Sequence, residues 1–165
     1  MSPLPQLPSA LLLACYDEAQ RRYPNEACGL LCGPRGGAFL DAILRCPNDQ
    51  DRLHSLDPRE FPFDGRSAFR LRFADVAWLF ESLETERPAQ VLFHSHCDAG
   101  ADLSPEDRSY ALADGGLPES IDHLVIDVAR GHARGARRYR RDSGRLVCVA
   151  VYDSTGRLRS SQAID

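Results

Sequence analysis

One short stretch constrains this chain more than any other: His94-Ser95-His96, a gap of seven residues, then Ser104-Pro105-Glu106-Asp107. An apolar run, Val91-Leu92-Phe93, leads into it and reads as a buried strand. Side chains alternate along a strand, so the two histidines leave on the same side, with Cα atoms about 6.6 Å apart. Two imidazoles at that separation can converge on one ion. Ser104 and Pro105 are helix-starting residues, which puts Asp107 in a first helical turn. A seven-residue loop can fold that turn back over the strand end. The stretch therefore demands a strand, a loop and a helix meeting at one point.

The remaining elements follow from periodicity and turn signals. Residues 9–22 read as a helix ending in Arg21 and Arg22, and residues 26–33 as a buried strand. Pro34-Arg35-Gly36-Gly37 turns into a second strand over 38–46. A short strand is expected near Leu53–Leu56. Residues 73–86 read as a helix with Phe73, Val76, Phe80 and Leu83 on its inner stripe. After the strand at 90–94 and the helix from Ser104 to about Ala113, strands are expected at 122–128, 135–141 and 146–152. Asp142-Ser143-Gly144 joins the last two. This order predicts an α/β fold, a mixed β-sheet flanked by helices. Residues 1–8 read as a loose N-terminal lead-in, and 9–165 as one domain.

Charge and composition exclude some functions. The formal net charge is −4 and all 20 basic residues are Arg. That balance argues against a nucleic-acid binder. The arginines at 134, 137, 138, 140 and 141 read as a solvated strand face, or as a docking patch for an acidic partner. The longest early apolar run, residues 10–15, is too short to cross a bilayer and lacks a basic lead. A cytoplasmic protein is expected, with its six cysteines as reduced thiols.

His94, His96 and Asp107 form a candidate zinc ligand set, and three protein ligands leave a coordination position open, as in catalytic sites. Glu26, at the start of the first strand, is the candidate base, and Ser104 a candidate donor to an oxyanion. Read alone, Ser104 and Asp107 are an ordinary capping box. It is their conjunction with His-x-His and Glu26 that is improbable by chance.

The arrangement Glu26, His94-Ser95-His96, Ser104, Asp107 resembles the signature of the JAMM, or MPN-plus, metalloprotease family. Pro24–Gly33, Asn48 and Asp57-Pro58 look like the same family, and the similarity covers roughly residues 9–155. The resemblance implies an MPN/JAMM fold related to the cytidine deaminases and one Zn2+ per chain. It further implies hydrolysis of a peptide or isopeptide bond at the C-terminus of a ubiquitin-like protein, with small bacterial members acting on sulfur carriers. The role of Glu26 leans on this resemblance. The substrate tail is expected to add along a strand edge near the metal. Cys97 and Leu103 stand where many bacterial members have proline. Cys97 could approach the metal or make the site oxidation-sensitive, and Ser95 and Cys97 are candidates for the surrounding shell. The rival within the family is a non-catalytic MPN scaffold. A zinc deaminase would need His-x-Glu with Pro-Cys-x-x-Cys, and neither occurs.

Overall fold

The computed structural model describes residues 4–161. The chain runs through α1 (Ser9–Arg22), β1 (Cys28–Cys32), β2 (Ala42–Cys46), α2 (Gln50–Leu56) and α3 (Phe73–Ser82). It continues through β3 (Ala89–Cys97), α4 (Pro105–Leu112), β4 (Asp122–Ala129), β5 (His132–Asp142), β6 (Arg145–Asp153) and β7 (Leu158–Ser161). The strands form one seven-stranded sheet in the order β2-β1-β3-β4-β5-β6-β7. Only β3 and β4 pair in parallel; the other neighbours are antiparallel. The fold is therefore a mixed sheet flanked by helices.

Alternation along the strands divides the core into two layers. Val91 and Phe93 join Leu124, Ile126 and Leu31 beneath α1, which contributes Leu12, Cys15, Tyr16 and Ala19. Leu92, with Cys28 and Leu30, faces the other way and packs with Leu79 of α3. A smaller cluster seats α4, through Ala111, on Val125, Tyr139 and Leu146. Gly29 sits opposite Phe93 in the β1–β3 ladder. A Cβ there would lie 2.4 Å from the Phe93 ring and 2.3 Å from the Leu44 carbonyl oxygen. Only glycine lets that ring lie across β1.

Several expectations change. Residues 50–56 form a helix rather than a strand, because Asn48 Oδ1 captures the Gln50 N–H at 3.0 Å and turns the chain. Helix α3 stops at Ser82. Its inner residues are Asp75, Leu79 and Ser82, while Phe73 is 89% exposed. Of the expected stripe, Val76 and Leu83 pack against the core, whereas Phe73 and Phe80 are exposed, so the spacing gave the helix and half of its inner face. Residues 5–8 are not loose: Leu7 is buried, Gln6 N donates to Ala38 O at 2.8 Å, and Leu40 N donates to Gln6 O at 2.9 Å. Residues 1–3 lie outside the described part. The arginine group is not one solvated face. Arg138 is fully buried and donates to Asp122 (2.8 Å) and to Pro5 O (2.7 Å). Strand β7 has no strong sequence signal, since all four of its residues are exposed. All six cysteines are free. No helix among the described residues is long and apolar enough to cross a membrane.

Candidate functional site

β3 delivers His94 and His96 at its C-terminal end, on the same face as Leu92 and toward α4. Both are buried. The β1–β3 register pairs Cys28 with His94. Continued outward, it sets Glu26 opposite His96 on the same face. Ser95 faces the opposite layer, and its Oγ accepts the Ala27 N–H at 2.8 Å, while Ser95 N donates to Ala27 O at 2.9 Å. A side chain thus closes the last rung and fixes the main chain beside Glu26.

α4 supplies the third group through its own capping box. Ser104 Oγ accepts from Asp107 N at 3.1 Å, and Asp107 Oδ2 accepts from Ser104 N at 2.8 Å. The cap aims the carboxylate inward. Asp107 Oδ2 lies 3.0 Å from His96 Nε2 and Oδ1 lies 3.3 Å from His94 Nε2, while the two Nε2 atoms are 3.1 Å apart. Four-coordinate zinc with ligands at about 2.0–2.2 Å spaces them about 3.4 Å apart. One atom from each of the three side chains, all within 4.8 Å of one another, could therefore share one ion, and these residues are the only such group of three or more among the described residues.

The surroundings set the ring orientations and charges. His94 stacks on Phe69 with centroids 4.3 Å apart and planes at 19°. His96 Nδ1 lies 3.1 Å from Gly100 O, the carbonyl partner that a metal-bound imidazole commonly has. Burial lowers His94 below the usual histidine range, which favours the neutral, metal-binding form. For Asp107, burial acts upward, but His94, His96 and the Ser104 amide outweigh it and hold the carboxyl well below the usual range. Burial, and then the Asp107 charge, push Glu26 up to about 9. Its Oε2 is buried without a hydrogen-bond partner.

The loop between β3 and α4 is held by tertiary contacts rather than proline. Leu103 is buried against Val125 and Tyr139, and Tyr139 Oη donates to Ala101 O at 2.9 Å. Asp98 accepts from Tyr23 Oη (2.8 Å) and from Arg130 N (2.7 Å), so it anchors the loop instead of facing solvent alone. Cys97 stands outside the ligand group. Alternation turns it to the Ser95 side, and burial pushes its thiol up to about 12. His123 is buried on β4 opposite Leu92, outside the ligand group itself, and burial, then the charge of His94, lower it to about 4.

Sequence reasoning missed Phe69, Gly100 O and the role of Asn48. Asn48 Nδ2 donates to Glu26 O and to Ala68 O, both at 3.0 Å, and its Oδ1 accepts from Gln50 N and Arg70 N. An Asn after a proline reads as a turn, and nothing in its spacing marks the three distant partners, Glu26, Ala68 and Arg70, that join the local bond to Gln50. The expected strand edge for a substrate is also displaced. β1 and β3 are both internal, and the free edges belong to β2 and β7. What adjoins the metal groups instead is a cleft of about 380 Å³, lined by Phe69, Asp107, Gln50, Arg70 and Tyr110 among others.

Three comparisons bear on this architecture. The family described as prokaryotic homologs of the JAB domain matches residues 8–150. No curated protein matches the sequence. Among solved structures, a Desulfitobacterium hafniense protein superposes with a TM-score of 0.63 at 18% identity, covering 88% of this chain and 89% of that one. One from Salinibacter ruber gives 0.53 at 18% identity, covering 84% and 82%. A JAB1/MPN domain protein from Archaeoglobus fulgidus gives 0.51 at 17% identity, covering 87% and 93%. At these identities the structures speak to the fold alone. The match over residues 8–150 includes every residue of the metal group, and this chain belongs to the family of prokaryotic homologs of the JAB domain.

Proposed function

We propose that this protein is a zinc-dependent peptidase or isopeptidase that cleaves at the C-terminus of a ubiquitin-like sulfur-carrier protein in the cytoplasm. One observation carries the catalytic reading. Two buried imidazoles with Nε2 atoms 3.1 Å apart each lie within 3.3 Å of a buried carboxylate oxygen of Asp107, and the strand beside them brings a second buried carboxyl, with an unpartnered oxygen, to the same face. The substrate class rests on the resemblance of the Glu26, His94-Ser95-His96, Ser104, Asp107 set. Six free thiols suit a reducing compartment.

His94, His96 and Asp107 would hold the zinc, which supplies Lewis acidity toward a carbonyl and lowers the pKa of water to about 7. The chain's own groups do the rest. Glu26 takes the proton as the water oxygen bonds to the scissile carbonyl carbon. It returns that proton to the amine nitrogen as the C–N bond breaks, giving a carboxylate and a free amine. Ser104 Oγ already accepts the Asp107 N–H, so its own hydrogen is available to the carbonyl oxygen as charge builds there. Asp107 and Ser95 fix the partners in place.

The test is Glu26→Gln. This variant should bind one zinc per chain, as the wild type does, and lose at least about 100-fold in cleavage of a carrier bearing a C-terminal extension, read by mass spectrometry. Undiminished cleavage would remove Glu26 from its role. Purified wild-type protein without stoichiometric zinc would favour the non-catalytic scaffold.

A further inference from the structure

Five buried side-chain atoms among the described residues lack a hydrogen-bond partner, and four of them gather in one region. Glu26 Oε2 and His94 Nδ1 belong to the metal centre. Gln50 Oε1 and Arg70 Nε belong to residues lining the adjoining cleft. The fifth, Arg138 Nη2, lies elsewhere, 2.6 Å from Asp122. Folded proteins leave few buried polar groups unpaired, so a cluster of them calls for a ligand.

The two cleft groups are built to stay where they are. Gln50 is 3% exposed, and its Nε2 donates to Phe63 O at 2.7 Å, which commits Oε1 to the role of acceptor. The Arg70 guanidinium carbon lies 4.3 Å from the Tyr110 ring centre and 5.9 Å from that of Phe61. These cation–π contacts restrain the guanidinium. Arg70 forms none of the ion pairs found among the described residues, and the acids at the cleft rim, Glu60 and Glu106, are exposed. Asn48 Oδ1 accepts both main-chain N–H groups, from Gln50 at 3.0 Å and from Arg70 at 3.1 Å. The same side chain holds the Glu26 carbonyl. One asparagine therefore sets the acceptor, the cation and the carboxyl of the metal centre in a common frame.

We infer that Gln50 and Arg70 are specificity-determining residues that receive the C-terminal residue of the substrate, Gln50 Oε1 accepting its N–H and Arg70 pairing with its free α-carboxylate. A neutral internal peptide group would satisfy the Gln50 oxygen but leave the guanidinium without a counter-charge. A terminal residue with a free acid satisfies both, its N–H meeting the Gln50 oxygen and its carboxylate the guanidinium. The inference rests on the peptidase reading and narrows it: the preferred reaction releases a terminal residue with a free acid, rather than splitting an isopeptide bond.

Two matched substrates decide it, a carrier extended by one residue as the free acid and the same carrier with that residue amidated. Wild type should show kcat/KM at least about tenfold higher for the acid, mainly through KM. Arg70→Gln should bring the ratio near one, whereas Arg59→Gln, on the same connection but outside the cleft, should keep it. Calorimetric titration of Glu26→Gln with short free-acid and amidated peptides gives a reading independent of turnover, and the acid should bind at least about tenfold tighter. Equal wild-type handling of acid and amide, or an Arg70→Gln variant that keeps the wild-type ratio, overturns the inference. Inert wild type with acid-selective peptide binding would sink the peptidase reading and support the carboxylate site. Inert wild type with equal binding of both peptides would sink both. Should Arg70→Gln fail to fold by circular dichroism, the wild-type comparison decides alone.

Discussion

At the scale of single residues, Glu26 embodies a conflict between stability and chemistry. Its carboxyl titrates near 4.5 when unfolded and near 9 in the folded metal-free protein. The folded state therefore binds the extra proton across that window, and stability is lost as pH rises from about 4.5 toward 9. Glu26→Gln removes this cost. In metal-free protein it should match wild type at pH 5 and exceed it by about 2 kcal/mol or more at pH 8.5, read as a higher Tm. A divalent cation beside the carboxylate favours its charged form, so the gap should narrow when zinc is added. An equal Tm difference at both pH values would mean the carboxyl is not desolvated as described. Asp107→Ala removes a ligand and one half of the α4 cap. It should abolish stoichiometric zinc binding, measured by metal analysis of dialysed protein, and cost about 1 kcal/mol from the cap alone.

At the scale of elements, the metal centre depends on how β1, β3 and α4 are tied together. Ser95→Ala removes the acceptor of the buried Ala27 N–H. Leaving that donor unpaired should cost about 1–3 kcal/mol in chemical denaturation. It should also lower turnover, because the main chain beside Glu26 loses its fastening; a Ser95→Ala enzyme with unchanged stability would contradict this account. Gly29→Ala tests the close approach of β1 and β3. The new methyl meets both the Phe93 ring and the Leu44 carbonyl, so a loss of about 3 kcal/mol is expected from urea melts. Much of this layer was legible beforehand. Alternation around Val91–Phe93 gave the strand, and Ser104-Pro105 gave the start of α4. The inner face of α3 was only half legible: Val76 and Leu83 pack on the core but Phe73 and Phe80 do not, because its apolar residues outnumber the positions the sheet can cover. Residues 50–56 were misread because seven residues carry too little periodicity to separate strand from helix, and their fold is set by a side chain two residues upstream.

At the scale of the whole molecule, one sheet end is a gathering point for groups that are uncomfortable without a ligand. Three anionic or imidazole groups and a buried carboxyl converge there. Zinc binding should therefore stabilise the folded state substantially. With free zinc at about 100 times its Kd, linkage gives about 2.7 kcal/mol, or a Tm rise of about 5–10 °C that chelation reverses. No Tm change on chelation would contradict a resident ion.

Spacing along the chain was enough to define the candidate metal-ligand group. A strand's period of two, a helix-starting Ser-Pro and a loop of seven residues leave few ways to arrange His94, His96 and Asp107. Those relations are local, and local geometry is written in spacing. Which distant residues complete the site was decided only by the tertiary structure. Phe69 stacks on His94, and Gln50, Arg70 and Tyr110 line the adjoining cleft with Asp107 while Asn48 ties Gln50 and Arg70 together, because α2, α4 and the connection between α2 and α3 fold against one end of the sheet. The burial of Arg138 likewise appears only once β4 and the N-terminal segment close over it. Contacts between segments far apart in the chain depend on the packing of whole layers, and no spacing between neighbouring residues encodes them.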